Sequence, residues 1–283
     1  MSDVRQAILS GIDQAIKEDI GAGDVTSNAT ITEGSVSKAT LLIKGEGILA
    51  GIEVSKLIFH KINTDLEIEY FKQDRETIAN GDIAFEVSGD ARSILAAERI
   101  VLNCMQRMSG IATITQNFVE VVKDLPVKII DSRKTTPNFR AFEKSAVEIG
   151  GGTNHRMGLY DMILIKDNHI DFSGGIENAI TSANTFLKTN NSKLKIEIEA
   201  SSMEQVEEII EIGGVDRVML DNFTPNSVTA AVKLINGKFE TEASGGITLE
   251  TLRAYAETGV NYISVGALTY GASIIDMSLN AVK

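Results

Sequence analysis

Within residues 133–166 the chain gathers Arg133, Lys134, Arg140, Lys144, His155, Arg156 and Lys166. The chain as a whole is acidic, with a formal net charge of −12, so a local run of cations needs a reason. Arg133 and Lys134 come just after the apolar run VKII, and Lys166 follows MILI. Arginine offers a planar pair of donors to carboxylate or phosphate, and lysine a compact point charge. Together they describe a pocket for a multiply charged anion. Pairing at helix ends and on the surface is the competing account. It weighs most for Arg140 and Lys144, which fall on the helix after the loop. His155 sits beside Arg156 and follows Gly150, Gly151 and Gly152, as a residue of a substrate loop would; a structural histidine is the other reading.

Carboxylates and glycines complete the set. Glu199 and Asp221 end two further apolar runs, and Glu197 alternates with Glu199, so both face one side of their strand. Carboxylates opposite bound phosphates suit Mg²⁺ or ribose hydroxyls; pairing of Glu197 or Glu199 with Lys166 or Arg133 is the alternative. Ser244, Gly245 and Gly246 follow a strand and precede a helical stretch, and Gly266 follows the next strand. Backbone amides of that kind attract phosphate, and in βα barrels they do so at the ends of the last strands. No protein nucleophile stands out: Cys104 lies in a helical segment, and no Ser-His-Asp order is evident.

These residues need elements that bring them together. Six apolar runs end at polar groups: 127–134, 161–169, 194–200, 217–222, 240–246 and 262–268. Short runs rich in Ile, Val and Leu read as strands buried on both faces, and the amphipathic stretches between them read as helices. That alternation predicts parallel βα units. Six strands, or at most seven, predict an incomplete α/β barrel, in which strand C-termini form the active face. Residues 1–110 lack this rhythm. They predict a separate α+β layer, for which the family resemblance given below implies an α/β sandwich domain, with a helix over 3–18, a loop over 18–27, a hairpin around Gly45–Gly47, a helix over 54–62, and strands over 66–71 and 78–90. Residues 91–122 predict a long buried helical segment, broken at Ser109-Gly110. The barrel is assigned to 111–270, and 271–283 to a short amphipathic helix that closes the barrel or returns to the first domain.

Composition narrows the class. The chain has 283 residues, 43 % of them hydrophobic and 23 % charged, an ordinary globular balance. Its acidity argues against nucleic-acid binding and against anionic membrane surfaces. A single cysteine excludes an internal disulfide and fits a reducing compartment. No apolar stretch is long enough to span a membrane, and the first residues lack the centre of a signal peptide. The expected location is the cytoplasm.

The blocks AERIVLNCMQRMSGIAT (97–113), DSRKTTPNFRAFEKSAVEIGGGTNHRMGLYDMILIKDNHI (131–170), VMLDNFTP (218–225), EASGGI (242–247) and VGALT (265–269) resemble the quinolinate phosphoribosyltransferases, the carboxylating nicotinate-nucleotide pyrophosphorylases. The likeness runs nearly end to end. It implies that quinolinate and 5-phosphoribosyl 1-pyrophosphate become nicotinate mononucleotide, pyrophosphate and CO₂, with Mg²⁺, in a homodimer whose N-terminal domains cap the neighbouring barrels. It implies that Arg99 reaches the neighbouring subunit's quinolinate, that Arg133, His155 and Arg156 hold the dicarboxylate, and that Ser132 is a further substrate-binding residue. It implies too that Lys134 and Lys166 lie between the quinolinate and the pyrophosphate, that Glu199 and Asp221 engage ribose and metal, that Lys134, Lys166, Glu199 and Asp221 form the catalytic set, and that Ser244, Gly245, Gly246 and Gly266 cradle phosphate. The family commonly has His-Ser after VGALT, where this chain has Tyr270-Gly271, which puts one phosphate contact in question. A same-fold paralogue of the molybdate-transport type, or a non-catalytic pyridine- or phosphoribosyl-binding protein, is the alternative.

Overall fold

The computed structural model describes residues 2–282. Along the chain the elements are α1 (Ser2–Asp19), α2 (Val25–Thr30), β1 (Val36–Ile43), β2 (Gly47–Ile48), α3 (Ile52–Ile62), β3 (Glu67–Tyr70), β4 (Thr77–Ile78), β5 (Ile83–Asp90) and α4 (Ala91–Val122). Then come β6 (Lys128–Ile130), α5 (Arg140–Ile149), β7 (Ile163–Ile165), α6 (Asp167–Ser173), α7 (Ile176–Thr189), β8 (Ile196–Ala200), α8 (Met203–Ile212) and β9 (Arg217–Asp221). The rest are α9 (Pro225–Ile235), β10 (Glu240–Ser244), α10 (Leu249–Ala256), β11 (Tyr262–Ser264), α11 (Ala267–Tyr270) and β12 (Met277–Ala281). They group into two compact units: residues 1–116, 134–151 and 267–283 in one, 117–133 and 152–266 in the other.

The first unit is built on an antiparallel sheet in the order β12-β1-β5-β3. Alternation in β1 buries Ala39, Leu41 and Ile43, the period a half-exposed strand requires. α3 brings Phe59 edge-on to Phe85 of β5, with centroids 5.6 Å apart. Three expectations are corrected here. The last segment is not a helix: β12 pairs with β1, from Ala39 opposite Ala281 to Ile43 opposite Met277. A short apolar run fits either period, and the free edge of β1 decides it, because unpaired strand edges seek partners. The Gly45–Gly47 hairpin is absent, since β2 pairs with β4 and not with β1.

The third correction concerns α4, which runs unbroken through Ser109-Gly110. Small residues there serve close approach. Ser109 Oγ accepts from Ala50 N at 3.0 Å, and Thr113 Oγ1 from Ile48 N at 2.9 Å. A Cβ on Gly110 would lie 1.8 Å from the Ser273 carbonyl oxygen. Helix propensity alone favours Ala over Gly by about 1 kcal/mol, but overpacking against fixed backbone costs about 1–3 kcal/mol or more. Gly110→Ala is therefore expected to lower the melting temperature. A raised value in a thermal scan would show that the 273–275 segment yields freely.

The second unit has six parallel strands in the order β6-β11-β10-β9-β8-β7. Sequential neighbours pair from β7 to β11, and the first strand, β6, pairs with the last. This is the order of a barrel opened between β6 and β7, the incomplete α/β barrel expected. α6 and α7, then α8, α9 and α10, occupy the successive connections. Ser202 caps α8 through the Gln205 N–H, and Thr224 caps α9 through the Ser227 N–H with Pro225 next, as strand-to-helix turns favour. The strands are not apolar on both faces. Ile196, Ile198, Val218, Leu220, Ala243 and Ile263 form one buried face. By alternation the other carries Glu197 and Glu199, Arg217 and Asp221, and Glu240, Glu242 and Ser244.

Candidate active site

Parallel strands place all their C-terminal ends along one edge. Lys166 follows β7, Glu199 is next to last in β8, Asp221 ends β9 and Ser244 ends β10. Register sets them side by side: Ser244 stands opposite Asp221, and Glu199 opposite Met219. Lys166 and Glu199 form an ion pair across adjacent strands. Asp221 Oδ2 accepts from Asn222 Nδ2 at 2.7 Å. Asn222 N in turn donates to Ser244 O at 2.9 Å, tying the ends of β9 and β10 together.

Beyond β10, Gly245 and Gly246 take φ of 99° and 63°. A Cβ at Gly245 would lie 2.3 Å from Asn222 Oδ1, so only glycine fits. Gly266 follows β11 by two residues. Ser132 and Arg133 follow β6, whose end is held to β11 by Val265 N donating to Ile130 O at 2.9 Å.

The segment after Gly152 supplies two more groups. Thr153 bridges to Ile130, and His155 N donates to Asp131 Oδ1 at 2.8 Å. Arg156 is 8 % exposed and donates through Nη1 to Met162 O at 3.3 Å. Burial, and then the nearby positive charge of Arg133, lower its pKa. Two guanidiniums that repel each other, with Arg133 Nε buried and lacking a hydrogen-bond partner, make a place for an anion to settle.

His155 is set deeper. Its Nε2 lies 3.0 Å from Glu197 Oε2 and 3.5 Å from Glu242 Oε2. Burial opposes a charged imidazole, while the two carboxylates favour a proton on Nε2, which leaves Nδ1 as the acceptor of the ring. Arg217 Nη1 donates to Glu242 Oε2 at 3.1 Å, and its guanidinium stacks 3.8 Å over the Tyr262 ring. Glu197, Glu242 and His155 are near enough to one another to hold a metal ion. Arg217 already supplies a cation to both carboxylates, so no ion is required there.

The remaining expected residues lie in the first unit. Arg99 is exposed on α4, and Lys134 is exposed, its carbonyl accepting from Thr269 Oγ1 at 2.8 Å. Lys144 is fully buried in α5. Arg107 donates to Glu143 Oε1 at 2.9 Å and to the Thr269 carbonyl at 2.6 Å; Glu143 also accepts from Thr136 N at 3.0 Å. Tyr270 is 65 % exposed on α11. Arg217 and Glu242 were not among the expected site residues. Their signal was the period-two charge in RVMLD and ETEAS, the same alternation that marks Glu197 and Glu199.

A six-stranded open α/β barrel with an arginine pair, a Lys-Glu pair and a glycine turn at its strand ends is the framework of a phosphoribosyl-transferring enzyme. Residues 24–109 match the family model for the quinolinate phosphoribosyl transferase N-terminal domain, and 111–280 that for the C-terminal domain. The chain belongs to the quinolinate phosphoribosyltransferase family, whose decarboxylating transfer serves NAD biosynthesis. It is 43 % identical over 280 residues to the chloroplastic carboxylating nicotinate-nucleotide pyrophosphorylase of Arabidopsis thaliana, covering 94 % of this chain and 80 % of that protein. It is 44 % identical over 263 residues to a probable carboxylating nicotinate-nucleotide pyrophosphorylase of Bacillus subtilis, covering 93 % and 89 %. The solved structure of the nicotinate-nucleotide pyrophosphorylase from Francisella tularensis superposes with a TM-score of 0.89 at 35 % identity, covering 98 % of this chain and 96 % of that one.

Proposed function

We propose that this chain joins quinolinate to the phosphoribosyl group of 5-phosphoribosyl 1-pyrophosphate, giving nicotinate mononucleotide, pyrophosphate and CO₂. The observation that carries the reading is that buried Arg156 feels the charges of both Arg133 and Glu199, with Glu199 paired to Lys166 at the strand ends. The pyridine nitrogen attacks the anomeric carbon as pyrophosphate departs with the bonding electrons. The alkylated ring is then cationic and accepts the electron pair of the C2–carboxylate bond; CO₂ leaves and C2 takes a proton. No protein nucleophile is needed. Arg133 and Arg156 hold the dicarboxylate in line, with Ser132 and His155 on the same segments. Lys134 and Lys166 face the charge that develops on pyrophosphate, an alignment and electrostatic task. Glu199 and Asp221 engage the ribose, and the amides at Ser244, Gly245, Gly246 and Gly266 take the phosphate.

Glu199 and Asp221 also suit Mg²⁺. Each has one oxygen bound to a neighbour, Lys166 or Asn222, leaving the other as a hard donor. The ion supplies charge neutralisation at the pyrophosphate. Two copies pair as a homodimer, with Arg99 of the partner subunit completing the dicarboxylate site. No helix of the described residues is long and apolar enough to cross a membrane, and we place the protein in the cytoplasm.

The test is turnover of quinolinate with phosphoribosyl pyrophosphate and Mg²⁺, read as nicotinate mononucleotide by mass, with nicotinate as control substrate. Product from quinolinate alone is expected, with loss of activity on chelation and recovery on adding Mg²⁺. Turnover of nicotinate instead would move the chain to a non-decarboxylating reaction. Full activity in chelator would remove the metal role of Glu199 and Asp221.

A further inference from the structure

The charges beneath the strand ends call for a reason of their own. The side chains of Glu197 and Glu242 are 1 % and 0 % exposed, and that of His155 is 6 % exposed. Burying ions costs several kcal/mol each unless good geometry offsets it, and an apolar core would do for stability alone. The contacts run in one direction. Arg217 donates to Glu242 at 3.1 Å and lies 3.8 Å from Glu197. Both carboxylates face His155 Nε2. On the other edge of the ring, Nδ1 accepts the Arg156 backbone N–H at 2.7 Å. The His155 amide is pinned to Asp131 at 2.8 Å.

That chain of contacts has a mechanical task. Arg156 stands near the like charge of Arg133. It also follows Gly151, whose φ is 90°. Repulsion acting on a segment that begins with glycines would swing Arg156 away from its place before substrate arrives. A rigid support under its backbone prevents this.

We propose that Glu197, Arg217 and Glu242 are positioning residues: they seat the His155 ring, which through Nδ1 holds the Arg156 backbone so that its guanidinium stands beside Arg133. This rests on the reading of Arg133 and Arg156 as the dicarboxylate site. Glu242 touches no substrate in it and acts only through His155.

Glu242→Gln is the first test, because it keeps shape and burial while removing charge. The quinolinate KM should rise at least about tenfold, the scale for a small misplacement of a binding group, with the phosphoribosyl pyrophosphate KM within about twofold of wild type. The double variant His155→Gln with Glu242→Gln should be no worse than the weaker single variant, since both break one support. Unchanged quinolinate KM, equal rises in both KM values, or multiplied losses in the double variant would overturn the proposal. A second measurement needs no substrate: the Arg156 backbone amide in a ¹H–¹⁵N spectrum of the free protein. It should be strongly downfield in wild type and move upfield in Glu242→Gln or, if that variant does not fold, in Arg217→Lys. An amide that stays put sinks the support. Failure of wild-type protein to bind quinolinate sinks the substrate reading and leaves this amide test standing.

Discussion

Arg133→Ala is expected to weaken quinolinate binding by on the order of 2–5 kcal/mol, the cost of removing one partner from a buried charge pair. That is roughly 30-fold to a few thousand-fold in affinity. Two physical effects oppose each other in this variant, and they act on different states. In the free protein Arg133 raises the energy of its neighbour, because burial and that like charge already depress the Arg156 pKa. Removing it relieves repulsion, so thermal stability should hold or rise. In the complex the dicarboxylate loses a planar donor whose Nε is already buried without a protein hydrogen-bond partner. Binding should therefore collapse while the fold gains. Arg133→Lys should fall between, since it keeps the charge and loses the fork. Calorimetric titration with quinolinate and with nicotinate, beside thermal scans, reads both sides. If Arg133 meets the second carboxylate, the preference for quinolinate over nicotinate should shrink in the alanine variant. Near-normal quinolinate affinity would take Arg133 out of the site.

Much of this arrangement could be read from residue order. The six strand ends were legible because an apolar run stopping at Lys166, Asp221 or Ser244 marks a buried strand reaching a polar edge. The barrel order followed, since βα units admit few topologies. What the one-dimensional pattern concealed was the inside of the barrel. Arg217 stands at the start of β9 and Glu242 in the middle of β10, and their order along the chain does not say that they meet. Only the register, which brings Glu197, Arg217 and Glu242 onto adjacent strands of one face, shows that they share a buried cluster. His155 carried two readings for the same reason: its loop suggested substrate, and only a structure can show which groups face each ring nitrogen. The misread pieces were those decided by distant partners. β12 is a strand because β1 has an open edge, and the glycine at 110 answers the close approach of Ser273 and does not mark an end of α4. Tertiary contact overrode local period at both places.

Gly245→Ala is expected to damage the phosphate end of the site, as Arg133→Ala damages the carboxylate end. The two glycines of the turn make a controlled comparison. Gly246 has a φ of 63° and open space where a Cβ would sit, whereas Gly245 has a φ of 99° and a Cβ there would meet Asn222 Oδ1 at 2.3 Å and Asn222 N at 2.9 Å. Gly246→Ala thus carries only the cost of left-handed backbone, about 1–2 kcal/mol. Gly245→Ala combines strained backbone, about 1–3 kcal/mol, with a collision costing a further ~1–3 kcal/mol. Asn222 has little freedom to move aside. Its N–H is bonded to Ser244 O and its side-chain amide to Asp221, so the displacement passes to the carboxylate assigned to ribose and metal. The phosphoribosyl pyrophosphate KM should rise by one to two orders of magnitude in Gly245→Ala, roughly the range for a misplaced binding group, and kcat should fall with it. The quinolinate dissociation constant measured without the second substrate should stay within about twofold, because none of these contacts reaches Arg133 or Arg156. Gly246→Ala should be milder on both counts. A reversed order would mean that the Gly246 amide, and not the fit against Asn222, sets the affinity for phosphate. Equal loss of quinolinate binding in Gly245→Ala would mean that the strand ends move as one body, and that the two halves of the site cannot be perturbed separately.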